Sequence, residues 1–280
     1  MAKKTVALLH PGNMGASIGT AAAAGGNRVL WASSGRGQAT RKRAEQAGFH
    51  DVGTLVEAVR QAEVVMSVCP PHAATEVAGT VAAEKFSGIY LDANAVSRAT
   101  AEEIGAIVSA AGASYVDGGI IGSPVKQAGT TRIYLSGARA AEVAELFRGS
   151  MLDARPIGAV PGQASALKIA YAAWTKGTDA LVLAIRALAA HEGVDRALLD
   201  EWSISQPALA KKCDRAAAVA VPKAWRYVGE MREIAEAFEN AGLPGGFHEA
   251  AAQICERLTC FKDQTDPPLT MTRVLTALGD

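Results

Sequence analysis

The stretch Val6-Ala7-Leu8-Leu9-His10-Pro11-Gly12-Asn13-Met14-Gly15-Ala16-Ser17-Ile18-Gly19 decides the reading of this chain. A short apolar run stops at a Pro-Gly turn, and a helix-like segment over 13–25 follows. A strand, a glycine turn and a helix in that order form the place where a dinucleotide-binding fold puts its phosphate turn. Glycine lets the backbone approach a pyrophosphate, and the helix N-terminus offers free N–H groups and the positive end of its dipole. Gly12 and Gly15 fit the second and third glycines of G-x-G-x-x-G, while His10 replaces the first. Gly12, Asn13, Met14 and Gly15 are therefore expected to hold a cofactor. The competing reading is a tight strand-to-helix turn that needs glycine.

Outward from this turn, strands and helices alternate. Short apolar strands are expected at 5–9, 28–31, 64–68, 89–92, 114–117 and 132–136, with helices near 13–25, 37–47, 73–83, 100–110 and 138–148. Short buried strands interleaved with helices imply right-handed crossovers and a mostly parallel sheet. After Pro161-Gly162 the pattern changes. From Gln163 to His191 there is no proline and one glycine, Gly177, which allows a single long helix; helices are expected beyond it at 195–202, 206–217, 222–241, 246–261 and 267–278. The fold class is α/β: an N-terminal Rossmann-type doubly wound parallel sheet over 1–160, then an all-helical C-terminal domain over 161–280.

Composition narrows the function classes. The 280 residues carry 28 Lys+Arg and 28 Asp+Glu, a net charge of zero, which argues against a nucleic-acid or anionic-membrane partner. No segment offers the ~20 consecutive apolar residues of a membrane span. The apolar run after Met1-Ala2-Lys3-Lys4 is too short for a signal peptide, so the expected location is cytoplasmic. The cysteines at 69, 213, 255 and 260 lack paired spacing and are expected as thiols. The five histidines show no metal-ligand spacing, and no metal is expected.

The end of the second strand bears on which dinucleotide is bound. An NAD enzyme places Asp or Glu about 20 residues past the glycines to bind the ribose hydroxyls. Here no acid occurs before Glu45, and Ser33-Ser34-Gly35-Arg36 lies where the ribose belongs. Ser33, Ser34 and Arg36 suit a 2′-phosphate, so NADP is expected. Arg41, Lys42 and Arg43 read as a solvated basic face.

Four ordered signatures resemble the β-hydroxyacid dehydrogenase superfamily, whose relatives include 6-phosphogluconate dehydrogenase, hydroxyisobutyrate dehydrogenase and imine reductases. Gly12-Asn13-Met14-Gly15 is similar to its G-N-M-G turn, and Val68-Cys69-Pro70-Pro71 to its L-P-P segment. Asp117-Gly118-Gly119-Ile120-Ile121-Gly122-Ser123 stands in the place of its D-A-P-V-S-G-G substrate loop, and Gly162 through Lys168 in the place of its G-x-x-x-K catalytic segment. The resemblance implies an NADP-dependent oxidoreductase acting on a small polar carbonyl or hydroxy compound in an interdomain cleft. It also implies a homodimer through the helical domain, and a cofactor passing beside Cys69, Pro70 and Pro71. Two departures stand out. Ile121 replaces the carboxylate-binding serine, for which Ser123 is a substitute, and Tyr171 or Ala172 replaces the asparagine after the lysine.

Carbonyl reduction needs a proton at the developing alkoxide. Lys168 supplies it if burial lowers its pKa. Tyr171 lies on the same helical face as a hydrogen-bond partner or second acid. Asn94, past a strand's C-terminal end, is a contact to the nicotinamide ribose or substrate, or a turn residue. Gly119 and Gly122 let a loop pass close to substrate, or merely make a turn. Glu230 reaches substrate from the helical half, or belongs to a packed helix. Imine reduction and non-catalytic NADP binding are the alternative functions.

Overall fold

The computed structural model describes residues 3–264 and 266–279. The chain divides into two compact units between Lys168 and Ile169.

The first unit is built on one eight-stranded sheet. Its strands are β1 (Thr5–Leu8), β2 (Arg28–Trp31), β3 (His50–Asp51), β4 (Val64–Ser67), β5 (Ile89–Asp92), β6 (Ser114–Ile121), β7 (Arg132–Ser136) and β8 (Asp153–Gly158). They lie in the order β3-β2-β1-β4-β5-β6-β7-β8. The pairs from β3 to β6 are parallel, β6–β7 is antiparallel and β7–β8 is parallel. The helices between are α1 (Asn13–Ala24), α2 (Gln38–Gln46), α3 (Leu55–Gln61), α4 (Ala74–Ala83), α5 (Arg98–Ala110) and α6 (Ala140–Glu145). Strand residues alternate between two buried faces. Val6, Leu8, Val29, Trp31, Met66 and Leu91 pack with Ile18, Leu146 and Phe147 on one. Ala7, Leu9, Val65, Tyr90 and Tyr115 pack with Val59, Val81 and Ile104 on the other. Burial on both sides is what makes these strands short apolar runs without polar alternation.

Three elements were not expected: β3, β8 and α3. β3 is two exposed polar residues, and β8 exposes half of its length and contains Pro156. Both are sheet edges, where charge and proline are tolerated. α3 is seven residues long and starts at Thr54, whose side chain accepts the Glu57 N–H.

The long helix α7 (Gln163–His191) has the expected bounds. In the second unit follow α8 (Asp195–Ser205), α9 (Leu209–Arg215), α10 (Ala224–Asn240), α11 (Gly246–Arg257) and α12 (Met271–Gly279). Pro222 does not interrupt the helical run as expected. A π turn at Ala216–Ala220 and a 3-10 turn at Val221–Lys223 carry the chain from α9 to α10. Such widening and tightening absorbs proline's missing N–H. Two apolar clusters hold this unit, one around Val182, Leu183, Val221, Phe261 and Val274, the other around Ile169, Ala180, Met231 and Ile234. Arg186 is buried and grips Asp195 with two hydrogen bonds, at 2.5 and 2.9 Å. Among the described residues no helix is long and apolar enough to cross a membrane, and no group of metal-ligating side chains assembles.

Candidate active site

The turn after β1 is tight: the Gly12 N–H donates to the His10 carbonyl at 2.8 Å. Gly12 caps α1 without a side-chain bond, and the first turn of α1 holds no acidic residue. Its leading N–H groups therefore keep their hydrogen-bonding capacity, at the positive end of the helix. A Cβ on Gly15 would lie 2.0 Å from the His10 oxygen, so helix and turn meet only through glycine. A Cβ on Gly12 would meet nothing within 4 Å, which leaves open space above the turn. Two buried polar atoms here have no hydrogen-bond partner among the described residues, His10 Nδ1 and Arg36 Nε. Burial, with Arg36 nearby, pushes the His10 imidazole down to about 4, so it is neutral at pH 7. A free helix N-terminus, an open space and an unsatisfied guanidinium nitrogen together fit a diphosphate.

The loop after β2 is fastened to this turn by arginines. Arg36 donates to the Leu9 carbonyl at 3.1 Å, and Arg43 to the Pro11 carbonyl at 2.7 Å. Arg41 holds the Ser33 and Arg36 carbonyls at 2.8 and 3.0 Å. Arg41 and Lys42 are exposed, as a solvated basic face requires, while the Arg41 and Arg43 guanidinium groups also bind loop carbonyls. The structure also adds an acid that sequence reading passed over. Asp51, on the unexpected β3, accepts the N–H groups of Ser33 at 3.2 Å and Gly53 at 2.9 Å. Ser34 is exposed beside them and donates its N–H to the Gly53 carbonyl.

The ends of β4 and β5 are linked through Asn94. Its Oδ1 accepts the Cys69 N–H at 2.6 Å, and its Nδ2 donates to Ser67 Oγ at 3.1 Å. Asn94 is 3% exposed. It therefore positions the loop of Cys69, Pro70 and Pro71 from below, with both its side-chain polar atoms engaged within the protein. Burial pushes the Cys69 thiol up to about 11, so it is no thiolate nucleophile. Beneath lie Asp92, Tyr90 and Tyr115, each with a buried oxygen lacking a hydrogen-bond partner among the described residues.

On β6 and the start of α7 the structure assembles the lysine site. Lys168 Nζ donates to the Ile120 carbonyl at 2.5 Å, and burial lowers its pKa. A Cβ on Gly119 would lie 2.5 Å from the Ala164 oxygen and 3.2 Å from Lys168 Cβ, so this glycine seats α7 on the strand. Gly122 turns the chain out of β6, and the Ser123 carbonyl accepts the Thr131 hydroxyl at 2.6 Å. The Val125 N–H donates to Ser17 Oγ on α1 at 2.6 Å, which ties the Gly122–Ser123 segment to the helix of the glycine turn.

Two expected residues lie in the second unit. Tyr171 is exposed. Glu230 is ion-paired with Lys176, which also sits 4.6 Å above the Tyr227 ring. The carboxylate is thus engaged with Lys176, as the packed-helix alternative implies. Sequence reading gave no role to Ser17, Ser136 and Ser165 and quoted Asp117 only within the substrate-loop signature, because each acts on a residue far away in sequence.

Comparison with known proteins gives two family matches. Residues 5–95 match the family described as NADP oxidoreductase coenzyme F420-dependent, and residues 189–258 match a domain of unknown function, DUF1932. A search of curated proteins returns no match. A conserved hypothetical protein from Sinorhizobium meliloti 1021 is similar at 25% identity, over 99% of this chain and 96% of that one, with a TM-score of 0.74. The 3-hydroxyisobutyrate dehydrogenase of Mycobacterium tuberculosis, solved with L-serine, is 18% identical over 100% of both chains, with a TM-score of 0.72. An imine reductase from Pseudomonas sp. is 19% identical over 99% and 100% of the two chains, with a TM-score of 0.54. The chain thus shares its fold with the 3-hydroxyisobutyrate dehydrogenase and the imine reductase, and its residues 5–95 match the NADP oxidoreductase family model.

Proposed function

We propose that the protein is an NADP-dependent oxidoreductase that transfers hydride between NADPH and a small polar carbonyl or hydroxy compound. One observation carries this reading. A single unit holds both a glycine turn with unsatisfied donors and a half-buried lysine, Lys168, on the Ile120 carbonyl. The N–H groups of Asn13, Met14 and Gly15 and the side chain of Arg36 would hold the dinucleotide, which would supply the hydride. Lys168 gives a proton to the substrate oxygen during reduction and takes it back during oxidation. Its lowered pKa leaves the proton easier to give than an exposed lysine's. Tyr171 and Ser123 are assigned to hydrogen bonding around the substrate. Residues 1–160 bind the dinucleotide, while 161–280 serve substrate selection and dimer formation. The free cysteines suit a cytoplasmic location.

Two other readings each have one observation in their favour. Asp51 beside Ser33 favours NAD, since a carboxylate there repels a 2′-phosphate. Ile121, in the place of a carboxylate-binding serine, favours an imine. The deciding experiment follows oxidation of NADPH and of NADH by purified protein, with panels of aldehydes, keto acids and cyclic imines. Turnover of a carbonyl with NADPH, reduced about 100-fold or more in Lys168→Ala, is the expected result. Turnover of imines alone, or turnover indifferent to Lys168, overturns the mechanism.

A further inference from the structure

Strand β6 grips the start of α7 within the N-terminal unit. Asp117 Oδ1 accepts the Ser165 hydroxyl at 2.5 Å, and its Oδ2 accepts the Ser165 N–H at 3.0 Å and the Ser136 hydroxyl at 2.9 Å. The Ser136 oxygen in turn accepts the Ala164 N–H at 3.1 Å. Two first-turn N–H groups of α7, which no helical carbonyl can reach, are satisfied in this way, and a carboxylate lies at the positive end of the helix. Asp117, Ser136 and Ser165 are each 1% exposed or less, so solvent does not compete for these bonds. One residue beyond Asp117 and Gly118, Gly119 leaves room for Ala164 and Lys168 to sit directly on the strand. One residue further, the Ile120 carbonyl receives Lys168 Nζ. Three positions of β6, Asp117, Gly119 and Ile120, thus fix where the helix starts, how closely it approaches and where its lysine points.

We propose that Asp117, acting through Ser136 and Ser165, is the positioning residue of the Lys168 amine: it locks the first turn of α7 so that Nζ stays against the Ile120 carbonyl and away from bulk water. The proposal rests on the reading of Lys168 as the proton carrier for its importance, although the network exists without it. The sign of the effect separates positioning from simple charge. Burial is the cause of the lowered Lys168 pKa. Releasing the helix start therefore moves the amine back towards the ordinary lysine range. Loss of a nearby anion acting by charge alone would push it further down.

The test measures the pH dependence of Lys168 modification by trinitrobenzenesulfonate in the full-length protein, resolved by peptide mass spectrometry. Exposed Lys126 in the same digest is the reference. Wild type, Asp117→Asn and Ser165→Ala are compared at equal circular dichroism and NADPH affinity. In wild type the midpoint for Lys168 lies below the ordinary lysine range. In the variants it rises by about one pH unit, which lowers the free-amine fraction near neutrality about tenfold. Should Asp117→Asn not fold, Ser165→Ala removes only the hydroxyl bond and carries the test. A midpoint that is unchanged, or that falls, in a folded variant overturns the proposal. Failure of the catalytic reading is seen separately, as turnover that survives Lys168→Ala.

Discussion

Asp92 is a carboxyl group enclosed where it cannot be solvated. It is 1% exposed; Oδ1 accepts the Asn94 N–H at 2.9 Å, and Oδ2 has no hydrogen-bond partner among the described residues. Burial, with Asp117 adding its charge, pushes it up to about 7 against the Asn94 hydrogen bonds that lower it. Because the folded value lies above the unfolded one, the stability it contributes is complete below about pH 4 and is lost as pH rises through about 7. His10 acts with the opposite sign. Its folded value, about 4, lies below its unfolded value, so its contribution is present above about pH 6.5 and lost as pH falls through about 4. The two trends overlap, and a substitution separates them. Asp92→Asn keeps the shape and removes the charge. It should stabilise the protein by on the order of 3 kcal/mol more at pH 8 than at pH 5. Urea unfolding at the two pH values checks this, and an equal effect at both would remove Asp92 as the source.

At the scale of elements, two glycines that look alike in the sequence do opposite work. Gly12 has open space where a Cβ would go and an ordinary φ of −68°, whereas a Cβ on Gly119 would strike the Ala164 oxygen. Gly12→Ala should therefore fold with stability within about 0.5 kcal/mol of wild type and yet lose dinucleotide affinity, since only the ligand needs that space. Gly119→Ala should unseat α7 and cost about 1–3 kcal/mol. Thermal unfolding and NADPH titration of both variants make the check, and a destabilised Gly12→Ala would show that the turn itself needs glycine. The same contrast explains what was legible beforehand. The apolar runs of β1, β4 and β5 and the proline-free α7 announce themselves because burial on both faces, or a long uninterrupted helix, leaves a compositional trace. β3 and β8 leave none, being short or polar edge strands. Gly12 and Gly15 could be found from local spacing, and Lys168 through the resemblance of its segment to a known catalytic one. The roles of Asp117, Ser136 and Ser165 could not, because an aspartate at position 117 becomes a cap for position 165 only after the sheet brings β6 beside α7. In the folded chain Asn94 and Glu230 likewise find partners far away in sequence, Cys69 and Lys176.

For the whole molecule, the helical unit leaves a face that a monomer has no use for. Along α7, Trp174, Leu181 and Leu188 recur every seven residues and are 69%, 38% and 62% exposed. Beside Leu181, a groove of about 370 Å³ is lined by Gly177, Ala184, Phe247 and Ile254. A seven-residue apolar repeat keeps one stripe of a helix facing a partner helix. Burying each such side chain contributes roughly 1.5–3 kcal/mol. A second copy of this chain would supply the matching stripe, and a net charge of zero sets no long-range repulsion against it. The protein should accordingly sediment at twice its 28.9 kDa chain mass. Leu181→Glu combined with Leu188→Glu places two carboxylates in the stripe without touching a buried core position. It should yield a folded monomer by sedimentation equilibrium, with unchanged far-ultraviolet circular dichroism. The same variant also tells whether assembly matters to catalysis: turnover retained by the monomer makes each chain's site self-sufficient, and turnover lost with NADPH affinity intact assigns part of the substrate site to the partner. A wild-type monomer, or a double variant that still sediments as a dimer, would exclude this stripe as the interface.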